Sequence, residues 1–276
     1  MQRYSTQYWS QPHSSQSHPR IAVILLNNKD FGWKIPRNVS AQLHQSSREI
    51  FCHMWSNAQV TICADGGANC LYDRAVRVEA ESTFIPKYIK GDLDSLRPDV
   101  QSYYEQQGTE IIQDLDQDSN DLDKCLNLLY EKQQTKSAKR YAVFIFGGMG
   151  GRFDQEMQNI NCLFRYHSKF QEMCLISEAT TARLLLGGSH EIEPNLEFET
   201  GVCGIIPLGG MCRKLTTEGL QWDLNEQSSR FGELVSTSNF IKQKRVLIRN
   251  SDPVIWTTEL RVTDTATESA ATYPFI

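Results

Sequence analysis

Tyr141-Ala142-Val143-Phe144-Ile145-Phe146-Gly147-Gly148-Met149-Gly150-Gly151-Arg152-Phe153-Asp154 passes from an unbroken apolar run straight into a glycine-rich turn. Runs of this kind, bounded by glycine, are typical of strands covered on both faces of a parallel sheet. The pattern recurs upstream. Val60–Ala64 leads into Asp65-Gly66-Gly67, Tyr88-Ile89-Lys90 into Gly91-Asp92-Leu93-Asp94-Ser95, and Glu110-Ile111-Ile112 into the acidic residues 114–121. As parallel strands, all four runs release their turns at one carboxyl edge, where open α/β sheets bind ligands. Carboxylates beside flexible glycine backbone suit a divalent cation bridging phosphate oxygens. A nucleotide-handling enzyme is the expectation.

Around these runs, residues 21–177 alternate strand and helix. Residues 21–26 form a further apolar run, and the polar residues 27–47, with Gly32 and Pro36, read as a long loop. Helices are expected around Ile50/Met54 and Phe51/Trp55, from Pro98 through Val100, Tyr103 and Tyr104 to Gly108, over Leu122/Cys125/Leu126/Leu129, and over Phe153/Met157/Ile160/Leu163/Phe164. Residues 173–177 read as another strand. The alternation implies right-handed crossovers and a mostly parallel, Rossmann-like sheet flanked by helices. After about Glu178 only short runs separated by Gly, Asn, Asp and Pro remain, the pattern of an antiparallel sandwich or barrel. The expected division is a disordered tail over 1–20, an α/β domain over 21–177, an all-β sandwich over 178–262 and a flexible tail over 263–276.

The 276 residues can bury a substantial core, and a net charge of −5 without a dense basic block gives no nucleic-acid footprint. The eight cysteines form no C-x-x-C pair and read as reduced thiols of a cytoplasmic protein. Residues 1–20, rich in Gln, Ser and His, do not read as a secretory signal, and the run 21–26 is too short to cross a bilayer.

Asp92 and Asp94, two apart at a strand end, can converge on one cation, although Asp-x-Asp is also an ordinary surface pattern. The acidic run is not an EF-hand loop: Ser119 stands where Gly is needed and Cys125 where the closing Glu belongs. Ser119 or Asp118 suits a helix N-cap, but that does not explain the crowded carboxylates, whose repulsion a cation would relieve. The turn Gly147–Gly151 lacks the Lys-Ser/Thr of a P-loop, and Phe153 breaks G-x-G-x-x-G. Its amides and Arg152 still suit phosphate, or simply a tight strand-to-helix turn. Trp222, flanked by polar residues, suits stacking on a flat heteroaromatic ring or a half-buried core position. Ser236-Thr237-Ser238-Asn239 offers small hydrogen-bonding groups or a solvent-facing strand end. The histidines show no zinc spacing.

Six ordered segments together resemble the thiamine pyrophosphokinase (thiamine diphosphokinase) family, especially its animal form. They are Ala64-Asp65-Gly66-Gly67-Ala68-Asn69, Gly91-Asp92-Leu93-Asp94-Ser95, Asp116-Gln117-Asp118 with Asp121, Gly150-Gly151-Arg152-Phe153-Asp154-Gln155, Gly219-Leu220-Gln221-Trp222 and Ser236-Thr237-Ser238-Asn239. Three departures stand out: the long 27–47 loop, Asn120 in place of a more usual Thr, and the extension 263–276. The resemblance implies a homodimer with active sites at its interface, transferring a pyrophosphoryl group from ATP to the thiamine hydroxyl and releasing AMP. It implies Asp92, Asp94 and Asp121 as magnesium ligands, and Asp65, Gly66, Gly67, Asp118, Arg152, Asp154 and Gln155 around the nucleotide and reacting groups. Gln117, Trp222, Ser236, Ser238 and Asn239 would hold thiamine. A kinase for another alcohol, and a sensor that binds without turnover, are the rival readings.

Overall fold

The apolar runs do fold as strands buried on both sides: every residue of Tyr141–Phe146 is inaccessible to solvent, and so are all but the first of Arg20–Leu25. The computed structural model describes residues 1–6, 9, 19–28, 43–77, 79–134 and 139–264. In chain order these form β1 (Gln2–Ser5), β2 (Arg20–Leu25), β3 (Leu43–Gln45), α1 (Ser46–Asn57), β4 (Val60–Ala64), α2 (Gly67–Arg77), β5 (Tyr88–Gly91) and α3 (Pro98–Gln106). Next come β6 (Glu110–Gln113), α4 (Asp121–Gln134), β7 (Tyr141–Phe146), α5 (Phe153–Tyr166) and β8 (Glu172–Ile176). Only strands follow: β9 (Thr180–Leu185), β10 (Gly188–Glu193), β11 (Glu199–Ile206), β12 (Cys212–Glu218), β13 (Gln227–Ser229), β14 (Ser236–Phe240), β15 (Val246–Asn250), β16 (Val254–Leu260) and β17 (Val262–Asp264).

One ten-stranded sheet runs through the molecule in the order β6-β5-β4-β2-β7-β8-β9-β16-β11-β14. From β6 to β8 neighbouring strands are parallel, and from β8 onward they are antiparallel. Helices α1, α2 and α3 cover one face of the parallel part, where Phe51, Met54, Leu71 and Tyr104 meet Val23, Phe144 and Phe146. Helices α4 and α5 cover the other, where Leu122, Leu126 and Leu163 meet Ile24, Ile62 and Ile145. The winding therefore reverses between β2 and β7. Burying both faces removes the alternation that one-sided strands show, which is why these sequences read as continuous apolar runs.

The antiparallel half packs against a second sheet, β1-β10-β15-β12-β13. Leu185, Ile205, Leu215, Ile248, Val254 and Trp256 form the core between them. The fold is thus the expected α/β unit followed by a β-sandwich, with one sheet serving both.

Several expectations need correction. The supposed tail over 1–20 contains β1, which pairs in parallel with β10, and Tyr4 enters the sandwich core. Trp9 is fully buried edge-on to Phe144, with ring centroids 6.5 Å apart. The Thr6 hydroxyl donates to Glu199 Oε2 at 2.7 Å, tying the segment to a buried carboxylate. Two aromatic side chains are enough to anchor a stretch whose average composition is polar. Of the expected loop 27–47, residues 29–42 lie outside the described residues. Leu43–Gln45 is a strand paired antiparallel with Val262–Asp264, so Thr263 and Asp264 also leave the expected tail. Residues 265–276 lie outside the described residues. Along α5 the expected Leu163 is buried and Ile160 and Phe164 pack half-buried against the same core, joined by Asn159, Cys162 and Tyr166, whereas Phe153 is 73% exposed, so the expected stripe fails at its first residue. Helix α2 carried no expectation, because it opens on Gly67 directly after Gly66, which weakens the helical signal at its start.

The described cysteines are all free thiols. No helix among the described residues is long and apolar enough to cross a membrane.

Candidate active site

A cleft of about 440 Å³ opens at the carboxyl edge of the parallel strands. Asn27 and Asn28 after β2, and Gly147, Gly148 and Met149 after β7, line its floor, so it sits where the winding reverses. Ala64, Asp92, Asp116, Gln117, Asp121, Lys124, Arg152 and Gln155 complete the wall.

Beside it, Asp65, Asp92 and Asp94 each place a carboxylate oxygen within 4.8 Å of the others. Local geometry forces this convergence. Asp65 leaves β4 with φ +42° and stays hydrogen-bonded to β5 through its amide on Lys90 O, at 3.0 Å. Gly91 lies against it: a Cβ there would stand 2.7 Å from Asp65 Cβ, so only glycine permits the approach. Leu93 takes φ +69°, which turns the next residues back, and the Asp94 amide donates to Asp92 Oδ1 at 3.3 Å. Asn69 fixes the loop by donating to Ser95 O at 2.7 Å and accepting from the Arg97 amide at 3.1 Å.

Burial raises the Asp65 carboxyl above its ordinary range, with Asp92 adding to the effect, while bonds from Gly66 and Ser95 oppose it. Its Oδ1 is buried with no hydrogen-bond partner among the described residues. An orphaned anionic oxygen between two further carboxylates is the donor set a hard divalent cation takes. Asp121, the third expected ligand, stands outside the 4.8 Å group but within its field. Its carboxyl is pushed up to about 6, first by burial and then by Asp65, with Asp92 and Asp94 adding and Lys124 opposing.

The acidic loop is shaped by successive Asx turns: the Asp116 amide donates to Asp114 Oδ1 at 3.2 Å, and the Asp118 amide to Asp116 Oδ1 at 3.0 Å. Lys90 Nζ holds Asp114 Oδ2 at 2.8 Å and keeps that carboxyl low. Gln117 faces the cleft, whereas Asp118 is exposed beside it. The N-cap of α4 is neither Ser119 nor Asp118. Asn120 Oδ1 accepts from the Asp123 amide at 2.7 Å, a task for which Asn is as suited as Thr.

In the glycine turn, Asn28 Nδ2 donates to Gly147 O at 3.2 Å and Met149 O at 3.1 Å, and Asn159 Nδ2 to Gly148 O at 2.8 Å. The amides of Gly150 and Gly151 both donate to Glu156 Oε1 at 2.8 Å, so the groups expected to meet phosphate carry an internal carboxylate. Arg152 and Asp154 pair at the surface, Nε to Oδ1 at 3.1 Å, which holds the Asp154 carboxyl low. Arg152 and Gln155 face the cleft. Gly66 and Gly67 are buried at the start of α2.

The other group lies on the sandwich. The Trp222 amide donates to Asn239 Oδ1 at 3.2 Å, and Asn239 Nδ2 returns to Trp222 O at 2.9 Å and reaches Ser236 Oγ at 3.4 Å. The backbone is pinned while the indole stays 58% exposed, so Trp222 is not core. Ser238 takes φ +55° and is exposed next to them. These residues sit at the β14 edge, and the acidic loop follows β6 at the opposite edge.

Lys124, Glu156 and Asn28 were not singled out from sequence, and Asn69 entered only as the end of a matching segment, with no role assigned. Only Lys124 carried a signal there, as a charge inside the Leu122/Cys125/Leu126 stripe.

Residues 51–175 match the thiamin pyrophosphokinase catalytic domain, and residues 189–255 match the thiamin pyrophosphokinase vitamin B1 binding domain. Thiamine pyrophosphokinase 1 of Oryza sativa subsp. japonica is 32% identical over 274 residues, covering 94% of this chain and 97% of its own. Thiamine pyrophosphokinase 1 of Arabidopsis thaliana is 36% identical over 230 residues, covering 80% and 85%. The crystal structure of yeast thiamin pyrophosphokinase has the same fold, with a TM-score of 0.77 at 24% identity over 94% of this chain and 91% of that one. With both of its domains matched in order and a relative aligned over almost its whole length, the chain belongs to the thiamine pyrophosphokinase family.

Proposed function

We propose that the carboxylate group beside the cleft is the reaction centre of a thiamine diphosphokinase, a transferase that makes thiamine diphosphate from thiamine and ATP. The observation that carries this reading is the convergence of Asp65, Asp92 and Asp94, with an orphaned oxygen, beside the cleft that opens where the sheet reverses its winding. The hydroxyl oxygen of thiamine forms a bond to the β-phosphorus of ATP. The bond from that phosphorus to the α,β-bridging oxygen breaks, AMP leaves, and the hydroxyl proton is lost. Such a transfer needs in-line placement and charge neutralisation more than a strong base. Asp65, Asp92 and Asp94, with Asp121, would hold a divalent cation, for which magnesium is proposed. Bound there, it would offset charge on the triphosphate. Arg152 lies exposed at the cleft and can exchange Asp154 for a phosphate oxygen. Asp154 itself, held low by Arg152, is poorly suited to accept a proton.

Trp222, Ser236, Ser238 and Asn239 would receive thiamine, the indole stacking on its ring system. Because this group lies at the β14 edge, five strands along the sheet from β7, beside whose carboxyl end the acidic cleft opens, we propose a homodimer in which each site combines the cleft of one copy with Trp222 of the other. The free thiols support a cytoplasmic setting.

The test is product analysis after mixing the chain with ATP, magnesium and thiamine. Equal amounts of AMP and thiamine diphosphate are expected. ADP with thiamine monophosphate would make it a simple kinase, and thiamine binding without turnover would make it a sensor.

A further inference from the structure

Lys124 is a cation in an unfavourable place. It lies in the first turn of α4, at the helix end where backbone amides already carry partial positive charge. Its side chain is only 3% exposed, and burying an ammonium is costly unless it is paired. Its nearest carboxylate oxygen, Asp121 Oδ1, is 4.0 Å from Nζ, beyond hydrogen-bonding reach, whereas the Lys124 backbone amide is bonded to Asn120 O at 3.0 Å. The neighbouring acids are committed elsewhere: Asp123 bonds Arg165 Nη1 through both oxygens at 2.9 Å, and Asp114 is held by Lys90. Lys124 nevertheless lines the cleft. A residue that violates both the helix-end rule and the burial rule at such a place marks a functional demand. The missing component is an acceptor-rich anion on the cleft side.

We propose that Lys124 binds the terminal phosphates of the nucleotide and so lets the cleft distinguish a nucleoside triphosphate from a monophosphate. This rests on the cleft being the nucleotide site. Lysine suits the task as a compact point charge, which meets a polyphosphate without the planar fork that arginine imposes. It also gives product release a cause: AMP, lacking the two outer phosphates, would not engage the ammonium. The ordinary alternative is that Lys124 merely dilutes repulsion among Asp65, Asp92, Asp94 and Asp121.

The experiment compares binding of ATP and AMP by calorimetry, without thiamine, to the parent chain and to Lys124→Gln. A lost charge-assisted bond corresponds to about 10- to 100-fold weaker ATP binding, with AMP binding unchanged. ATP affinity that stays the same, or ATP and AMP weakened equally, would overturn the proposal. Lys124→Met, which keeps the apolar stem, gives the same comparison should the Gln variant not fold. Product analysis of the parent chain separates the two claims. A parent that makes no AMP refutes the proposed activity, whereas a parent that makes AMP beside a variant with undiminished ATP affinity refutes only the role of Lys124.

Discussion

Asp121→Asn is expected to stabilise the metal-free protein while abolishing turnover. The Asp121 carboxyl titrates at about 6 in the folded chain against an ordinary value of 3.8. Below 3.8 it is neutral in both states and contributes nothing. Between the two values the unfolded chain ionises first, and above about 6 both states are charged and the folded one carries the full penalty. Stability is therefore lost as pH rises through this window, the reverse of the usual carboxylate. The window spans about 2 pH units, and at about 1.36 kcal/mol for each the unscreened penalty is about 3 kcal/mol. With the side chain 38% exposed, solvent screening reduces this to about 1 kcal/mol. Removing the charge should raise Tm by about 2–4 °C near pH 7.5 in EDTA, and by less than half of that near pH 4.5. With magnesium added, the parent should gain more than the variant and the order should invert. An Asn variant that melts below the parent in EDTA near neutral pH, or one equally stabilised at both pH values, would refute the electrostatic account.

Four further outcomes are expected. Gly91→Ala sets a methyl 2.7 Å from Asp65 Cβ; overpacking should cost about 1–3 kcal/mol in urea unfolding and turnover with it, and an unmoved midpoint would show that β4 and β5 can part freely. Trp9→Ala should cost about 3–5 kcal/mol, and a loss near zero would mean that the N-terminal segment is not docked. Trp222→Ala should change stability by less than about 0.5 kcal/mol yet raise KM for thiamine and leave that for ATP unmoved; equal effects on both would remove it from the thiamine site. Asp92→Asn and Asp94→Asn should each lower turnover by about a hundredfold or more with melting temperature maintained, and near-normal rates at saturating magnesium would exclude them as ligands.

What the sequence disclosed follows the range over which each signal acts. The strands of the parallel sheet were legible because burial on both faces makes their own residues apolar, and Pro98 marked the first turn of α3 because its ring is preset for it. Asp92 and Asp94 were legible as a pair at a strand end. The approach of Asp65 was not, since it depends on Gly91 of the next strand lacking a Cβ. Tyr4, Thr6 and Trp9 were missed for the same reason: the partners of Thr6 lie at Glu193 and Glu199, far along the chain, where no local period reaches. Phe153 misled the start of the α5 stripe because an exposed apolar residue has the same letter as one in a core.

The sheet that passes without a break from β8 to β9 has a mechanical consequence. Leu175 pairs with Ala182 and Ile176 with Thr181, so the line near residue 178 that divides two textures of sequence divides no ladder in space. Severing the chain there would bare a strand edge on each fragment and invite stacking of fragments rather than two working modules. Nor can the halves swing about that line like covers on a spine, because bending would tear the hydrogen bonds that cross it. Admission and release of ligands must then be accomplished by the loops along the carboxyl edge and, in the proposed homodimer, by the neighbouring copy, and mutations that stiffen those loops should slow turnover more than any placed at the seam.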